Sequence, residues 1–537
     1  MIRAADLLAR GLYQAGCRHA FGIPGGEVLT LVDALTAVGI RFVLCKQESA
    51  AGFMAEGAYH RTGAPGILVA TLGPGVANCI NAVANALQDR VPLLVLTGCI
   101  DPDEALTYTH QIIDHRALFA SITKATFTLS PGGAAVITEK ALAIAAADRP
   151  GPVHIDVPMP AADAMVEEPP RAWKVKGRPT APAESEAFAA ARRWLTEAER
   201  PIMIAGLDVL NHGAASAVQS FAETWNIPVV TTYKAKGVIP EDHPLALGGA
   251  GLSPLADQVL LPLFKEADLV LAVGYDPIEM RIGWRNPWDP ATQRVVEFAA
   301  APNLHYMHGS TLSFVCDVGA GLDALATASK PNKTWAHERA AAARKHLHKL
   351  FSSCGEWGPA AIVERVRRIF PRDTIVTADS GAHRILMSQL WQAYEPRGLL
   401  QSSAFATMGC ALPLAMGAKI AEPKRPVVAF SGDAGLLMVL GELSTLAELK
   451  LPITIVVFVD ASLALIEMKQ RSRQLKSAGV DFNFCDFAAI GAAFGGAGAM
   501  VSDVASLDQA LRSALDRNDR FTIVGASIER RAYDGHI

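Results

Sequence analysis

Short runs of Val, Ile and Leu recur along the chain and alternate with Ala- and Leu-rich stretches of helical period. "HAFGIP", "RFVLC", "GILVAT", "PLLVLTG" and "PVHIDVP" come first. "PIMIAG", "PVVTTY", "LVLAVGY" and "RVVEFA" follow, then "TIVTADSG", "PVVAFSGD", "ITIVVFVD" and "FTIVGASI". Runs that are apolar at successive positions need cover on both faces, which only parallel sheets flanked by helices provide. The fold class is therefore α/β. A chain of 537 residues exceeds one core, so two to four domains are expected, and three doubly wound parallel-sheet domains of similar size fit the length. Their spans are 1–166, 186–330 and 350–537. The segment "EEPPRAWKVKGRPTAPAESE" (167–186) is the clearest linker, and "TASKPNKTW" near residue 330 marks a second junction. The first and third parts look alike at their strand ends, so a structural duplication is a hypothesis.

Charge excludes several classes. Lys+Arg total 49 against 53 Asp+Glu, with no basic stripe for nucleic acid and no basic amphipathic helix for a membrane surface. The longest uncharged window, Thr62 to Gln88, is broken by Gly, Pro and Asn and is no membrane span. The N-terminus lacks the apolar stretch of a signal peptide. The eight cysteines form no C-x-x-C pair and read as buried free thiols. A cytoplasmic protein is expected.

In open parallel sheets, ligands bind beyond the C-terminal ends of the strands. Two strands end there on an aspartate. "VVAF" runs into Ser431-Gly432-Asp433-Ala434-Gly435, and "ITIVVFV" ends on Asp460, 27 positions after Asp433. Small residues let a backbone approach a phosphate, and the following helix offers free N–H groups. An aspartate among apolar neighbours needs a partner, and a hard divalent cation is an economical one. A βαβ crossover brings both aspartates to one sheet edge. The alternative is that each is a helix N-cap; their matched positions favour a metal.

These residues resemble the G-D-G…N-N motif of thiamine diphosphate enzymes, with Ala434 and Val459 as departures. The resemblance implies thiamine diphosphate and Mg²⁺ as cofactors. It implies Asp433, Asp460 and the Ser462 carbonyl as metal ligands. Gly432, Ala434 and Gly435 would line the diphosphate site, and Leu463, Ala464 and Leu465, where the family's helix lines the acceptor site, would also touch the cofactor. It continues in chain order through Pro24-Gly25 and "VLCKQESAAGFMAEGA", where Glu48 matches the family glutamate. That residue hydrogen-bonds N1′ of the aminopyrimidine and so promotes loss of the thiazolium C2 proton; the alternative is a helix cap. "TLGPGVAN" places Pro74 in a tight turn and Asn78 in the helix after it. "THQIIDHRALF" resembles the H-Q-x-x-D segment of acetolactate synthases, with Gln111 facing the reacting carbon. Ser380 and His383 of "TADSGAHR" would lie near the diphosphate. In "SSAFATMGCALP", Thr407 and Met408 would support the bent cofactor, while Ala404, Phe405 and Ala406 depart from the family's residues. Glu56 is read as structural.

"VGYDPIE" in the middle part resembles the catabolic, FAD-independent acetolactate synthases (large catalytic subunit), so FAD is not expected. The resemblance implies a carboligase that decarboxylates pyruvate or a related 2-oxo acid and joins it to a second carbonyl. Two alternatives stay open. One is a 2-oxo acid decarboxylase or C–C lyase similar to benzoylformate decarboxylase or benzaldehyde lyase. The other is a cofactor-binding scaffold without turnover. Glu467 is a candidate proton donor or else a solvent-facing charge at helical spacing. Arg281, Arg285 and Lys469 are candidates for a substrate carboxylate. Because the family builds each site from two subunits, a homodimer is the expected minimum and a homotetramer the expected assembly.

Overall fold

The computed structural model describes residues 1–101, 103–167, 179–326, 335 and 337–537. Most of the linker at 167–186 and the junction at residue 330 lie outside the described residues. Three six-stranded sheets, parallel throughout, account for the alternation in the sequence. The first holds His19–Ile23, Arg41–Leu44, Gly66–Ala70, Leu93–Cys99, Ala125–Thr128 and Val153–Pro158. The middle one holds Pro201–Ala205, Val229–Thr232, Ala246–Ala250, Leu269–Val273, Arg294–Ala299 and Leu312–Val315. The third holds Ile375–Ala378, Leu399–Gln401, Val427–Gly432, Thr454–Val459, Ala497–Val501 and Thr522–Ser527.

Counting each sheet's strands in chain order, the first and third sheets share the order 2-1-3-4-6-5, and the middle sheet runs 3-2-1-4-5-6. The duplication inferred from strand ends is thus a duplication of topology. In both outer sheets the order reverses between strands 1 and 3, which opens a crevice at their C-terminal ends. In the third sheet those ends carry Asp379-Ser380 and Gly432-Asp433. In the first they carry Pro24-Gly25 and Thr71 to Gly75.

The third sheet is covered on both faces, as its uninterrupted apolar runs require. Val428, Phe430, Val456 and Phe458 pack with Trp391 and Leu386 on one side. Ala429, Ile455 and Val457 join Leu412 and Met416 on the other. That second cluster continues into the first domain through Met54, Leu68 and Val95. The two domains meet there on a pair of helices, Glu48–Thr62 and Ala411–Ala421. Each follows strand 2 of its own sheet. Residues Ala50 to Tyr59 are buried without interruption, so this helix has no polar face. A Cβ on Gly57 would lie 2.2 Å from the Leu414 carbonyl oxygen, and one on Gly417 would lie 1.9 Å from that of Met54. Met54 and Gly57 meet Gly417 and Leu414 reciprocally, a pseudo-twofold contact of backbone on backbone.

Candidate active site

Asp433 opens the short helix Asp433–Leu437 directly after the strand Val427–Gly432. It is 3% exposed. Its Oδ1 accepts the N–H of Ala434 (2.8 Å), and its Oδ2 accepts those of Asp460 (3.2 Å) and Ala461 (2.8 Å). The parallel pairing of Val427–Gly432 with Thr454–Val459 makes this possible, as Gly432 stands opposite Phe458. Asp460 follows that second strand, its Oδ1 accepting the Ser462 N–H at 3.2 Å. Part of the capping alternative therefore holds: both aspartates bond local backbone. It does not satisfy their charge. Burial, reinforced by the negative Asp433, pushes the Asp460 carboxyl up to about 7, and burial pushes Asp433 up as well. A buried and a half-buried acid that repel each other could hold a hard cation. Ser462 is buried beside them. Tyr533 of the C-terminal segment lies close enough that both acids add to the burial that raises its hydroxyl.

Across the crevice, Ser380 and His383 each carry a buried polar atom without a protein partner, Ser380 Oγ and His383 Nε2. Burial, with Arg384 adding to it, holds the His383 ring down at about 3, so it is neutral. It stacks on Phe458 and faces Gly432, whose Cβ would come within 3.3 Å of the ring. Orphaned polar atoms beside an acid pair only partly open to solvent fit a metal–diphosphate group, which would satisfy both sets.

Asp379 holds the loop between these parts. Fully buried, it accepts from Ser431 Oγ (2.8 Å) and from the N–H groups of Ser380 (2.8 Å), Gly409 (3.0 Å) and Cys410 (3.3 Å). A Cβ on Gly435 would sit 2.1 Å from its Oδ2, which explains glycine there. The same bonds place Thr407 and Met408, both half-buried, immediately before the anchored Gly409. Ala406 adopts φ +55°, a left-handed conformation that favours glycine. Sequence reading missed Asp379, although it ends a strand in the same way as Asp433 and Asp460.

The first domain assembles a second cluster. Glu48 starts its helix and is 6% exposed, accepting from Asn78 Nδ2 at 3.0 Å. The N-cap is Gln47, whose side chain accepts from Ala50 N–H, so Glu48 does not cap the helix. A Cβ on Gly75 would lie 3.4 Å from Glu48 Oε1. Gly73 has φ +64°, and its Cβ would meet the Gln111 carbonyl oxygen at 2.8 Å and the Gln111 Cβ at 2.9 Å. The turn at Gly73 to Gly75, exposed at Pro74, thus touches Gln111 at one end and Glu48 at the other. Gly25 fits against Thr71, whose hydroxyl donates to Glu27 at 2.8 Å.

The two clusters are joined by one face of the helix Pro74–Gln88. Asn81 accepts from Thr407 Oγ1 (2.9 Å) and Asn85 from Ser402 Oγ (2.6 Å). Asp89 accepts the N–H groups of Ser403 (2.9 Å) and Ala404 (2.8 Å). Asp89 also pairs with buried Lys234 of the middle domain at 2.8 Å, and Lys234 lies 3.6 Å from Glu56. Glu56 is structural, as expected, with Asn85 and His60 as further partners. Glu279 of "VGYDPIE" pairs with Arg384 at 2.5 Å.

Glu467 differs from the solvent-facing alternative. It is 3% exposed, gripped by Arg471 at 2.9 Å and Arg531 at 3.2 Å. The helix Ala464–Ser472 turns it inward, and the C-terminal segment closes over it. Leu463, Ala464 and Leu465 are half-buried beside it. Of the carboxylate-binding candidates, Arg281 faces Asp257 at 3.5 Å and Lys469 is exposed.

Comparison with known proteins agrees with this layout. Three family models match in order: the thiamine pyrophosphate enzyme N-terminal TPP binding domain over residues 2–118, the central domain over 188–325, and the C-terminal TPP binding domain over 379–526. "Acetolactate synthase" of Bacillus subtilis (strain 168) is 28% identical over 526 residues, 96% of this chain and 91% of that protein. "Acetolactate synthase isozyme 1 large subunit" of Escherichia coli (strain K12) is 30% identical, covering 87% of this chain and 83% of its own length. "Probable 2-ketoarginine decarboxylase AruI" of Pseudomonas aeruginosa is also 30% identical, over 96% and 92%. With both strand-end clusters in place and relatives aligned over most of its length, the chain belongs to the thiamine pyrophosphate enzymes and is an enzyme of their transferase and lyase kind.

Proposed function

We propose that the chain is a thiamine diphosphate- and Mg²⁺-dependent carboligase of the acetolactate synthase type, acting on pyruvate or a related 2-oxo acid. Asp433, Asp460 and the Ser462 carbonyl hold the metal. Ser380 and His383 meet the diphosphate together with Gly432, Ala434 and Gly435. Pro24, Gly25, Pro74, Asn78, Thr407, Met408, Leu463, Ala464 and Leu465 shape the rest of the cofactor's bed. The bound cofactor supplies a nucleophilic carbon and an electron sink for decarboxylation. Glu48 exchanges a proton with the cofactor's pyrimidine, and Asn78 orients its carboxylate. Gln111, poised over Gly73, orients the substrate carbonyl. Glu467 anchors the C-terminal segment; donating a proton would require it to leave two guanidinium groups. The observation that supports this reading most is the uncompensated Asp433–Asp460 pair facing two orphaned polar atoms.

The reading includes no flavin. Asp208 stands at the switch point of the middle sheet, with its N–H on the Gly274 oxygen (3.1 Å) and its carboxylate on the Ala300 N–H (3.0 Å). A carboxylate at that switch point would repel a dinucleotide phosphate, which supports the reading. A homodimer at least, expected as a homotetramer, a cytoplasmic location and domains over 1–166, 186–330 and 350–537 complete the proposal.

Calorimetric titration of thiamine diphosphate into metal-free protein tests it. Binding should need Mg²⁺ and vanish in Asp460→Ala; binding indifferent to both would make the chain a scaffold. Product analysis with pyruvate should then give a 2-hydroxy-3-oxo acid. An aldehyde alone would favour the decarboxylase reading, which the similarity to the probable 2-ketoarginine decarboxylase supports.

A further inference from the structure

Beneath the Gly73–Gly75 turn lies a cluster that the proposed chemistry does not use. Thr97, His115, His154 and Asp156 are 0%, 5%, 0% and 7% exposed. Thr97 and Asp156 pair across adjacent strands, and His115 opens the helix His115–Ala120 just after Gln111. His115, His154 and Asp156 have the composition of a metal site. Their spacing is that of hydrogen bonds. His115 Nδ1 lies 2.8 Å from Asp156 Oδ1, and Thr97 Oγ1 lies 2.8 Å from both Asp156 Oδ1 and His154 Nε2. Asp156 Oδ1 is itself the point on which the nitrogens converge, 2.8 Å from His115 Nδ1 and 3.4 Å from His154 Nε2.

The protons can be placed by elimination. The N–H of Gly73 points at His115 Nε2 at 3.3 Å. A backbone amide only donates, so Nε2 is bare and the ring proton sits on Nδ1, donated to Asp156. Thr97 has one proton and Asp156 only accepts, so that proton goes to Asp156. His154 Nε2–H therefore donates to Thr97 Oγ1, and His154 Nδ1, buried without a partner, is bare. Burial holds His154 below its ordinary pKa and hence neutral. Burial raises the Asp156 carboxyl, but hydrogen bonding, led by His115, outweighs it and keeps Asp156 ionised.

We propose that His115, held by Asp156, is a positioning residue that locks the Gly73–Gly75 turn against Gln111 and Glu48. Gly73 is where the lock acts. Its φ of +64° admits no side chain, and Gln111 occupies the space a Cβ would need. Releasing the Gly73 N–H frees the turn to shift, and Gln111 and Glu48 shift with it. The proposal rests on the cofactor reading only for the work it assigns to those two residues.

Two measurements test it. In the cofactor-free wild type, ¹⁵N spectra of labelled histidine should place the His115 proton on Nδ1, and hydrogen exchange should show a protected Gly73 amide. A proton on Nε2, or an unprotected amide, overturns the proposal. His115→Phe keeps the bulk and removes the acceptor, whereas His115→Gln offers a carbonyl oxygen in its place. Phe should lose Gly73 protection and lower kcat about tenfold to a hundredfold, as small misplacements do, with KM within about threefold. Gln should recover most of both. Equal activity of the Phe variant and wild type, or equal loss in both variants, overturns it. Should the Phe variant fail to fold, the tautomer and the Gly73 amide decide. Should the wild type fail to bind thiamine diphosphate, the cofactor reading fails while the tautomer and amide results still judge the lock.

Discussion

Asp460 carries a charge that folding disfavours and a cation restores. Its carboxyl titrates near 7 in the metal-free fold, against 3.8 as its ordinary value. Between those limits the folded chain holds a proton that the unfolded chain has released. Stability of the metal-free protein therefore falls as pH rises through that window. Urea midpoints should drop from pH 5 to pH 8 without Mg²⁺, and the slope should flatten in Asp460→Asn. Mg²⁺ must displace the same proton, so cofactor affinity should tighten with pH up to about 7 in the wild type and less so in Asp460→Asn. At Ala406 the issue is strain. Ala406→Gly should raise stability by up to about 1 kcal/mol in thermal melts, because a left-handed φ costs alanine about that much. The residues that end strands were legible in sequence because chemistry concentrates there. Asp379 obeys the same rule. His115 and Asp156 were not legible: their meaning depends on a strand neighbour, Thr97, and on an amide in a distant turn.

Among elements, the interior strands announced themselves, and of the edge strands only Arg41–Leu44 did, as "RFVLC". Ala125–Thr128, Ala246–Ala250, Leu312–Val315, Leu399–Gln401 and Ala497–Val501 all lie at sheet edges. An edge strand has one ladder instead of two, tolerates Gly and Thr, and needs less apolar cover, so its run is short and ambiguous. The helix Glu48–Thr62 was legible as a helix, but its burial on all sides was not, because Ala and Gly read equally well as surface. Its packing gives a sharp expectation. Gly57→Ala or Gly417→Ala forces a methyl into a carbonyl oxygen and should cost about 1–3 kcal/mol, the range for overpacked cores, or more. Denaturation midpoints of the two variants check this, with Gly132→Ala as a comparison, where open space surrounds the added methyl and no positive φ opposes it.

At the scale of the molecule, three domains meet on buried charge. Burial works against the Lys234 cation, and Asp89 and Glu56 outweigh it. Lys234→Met would strand Asp89, which also holds the Ser403 and Ala404 amides. A loss of about 3–5 kcal/mol is expected, as for other buried pairs broken on one side. Urea unfolding measures it, and adding Glu56→Gln should return part of the loss. The number of domains was readable from length and composition. Their docking was not, because Lys234, Asp89 and Glu56 are far apart in sequence and nothing there pairs them.

The reciprocal glycines of the helix pair act as a keyed joint. Where side chains meet, domains slide or swivel by exchanging rotamers; where Gly57 rests on the Leu414 carbonyl and Gly417 on that of Met54, no rotamer exists to exchange. The first and third domains are therefore fixed in angle as one rigid block. Admission of substrate and departure of product fall to what lies outside the joint: the exposed stretch around Leu106, Tyr108 and Ile112, and the helix Ala464–Ser472 with the C-terminal segment pinned to it by Glu467.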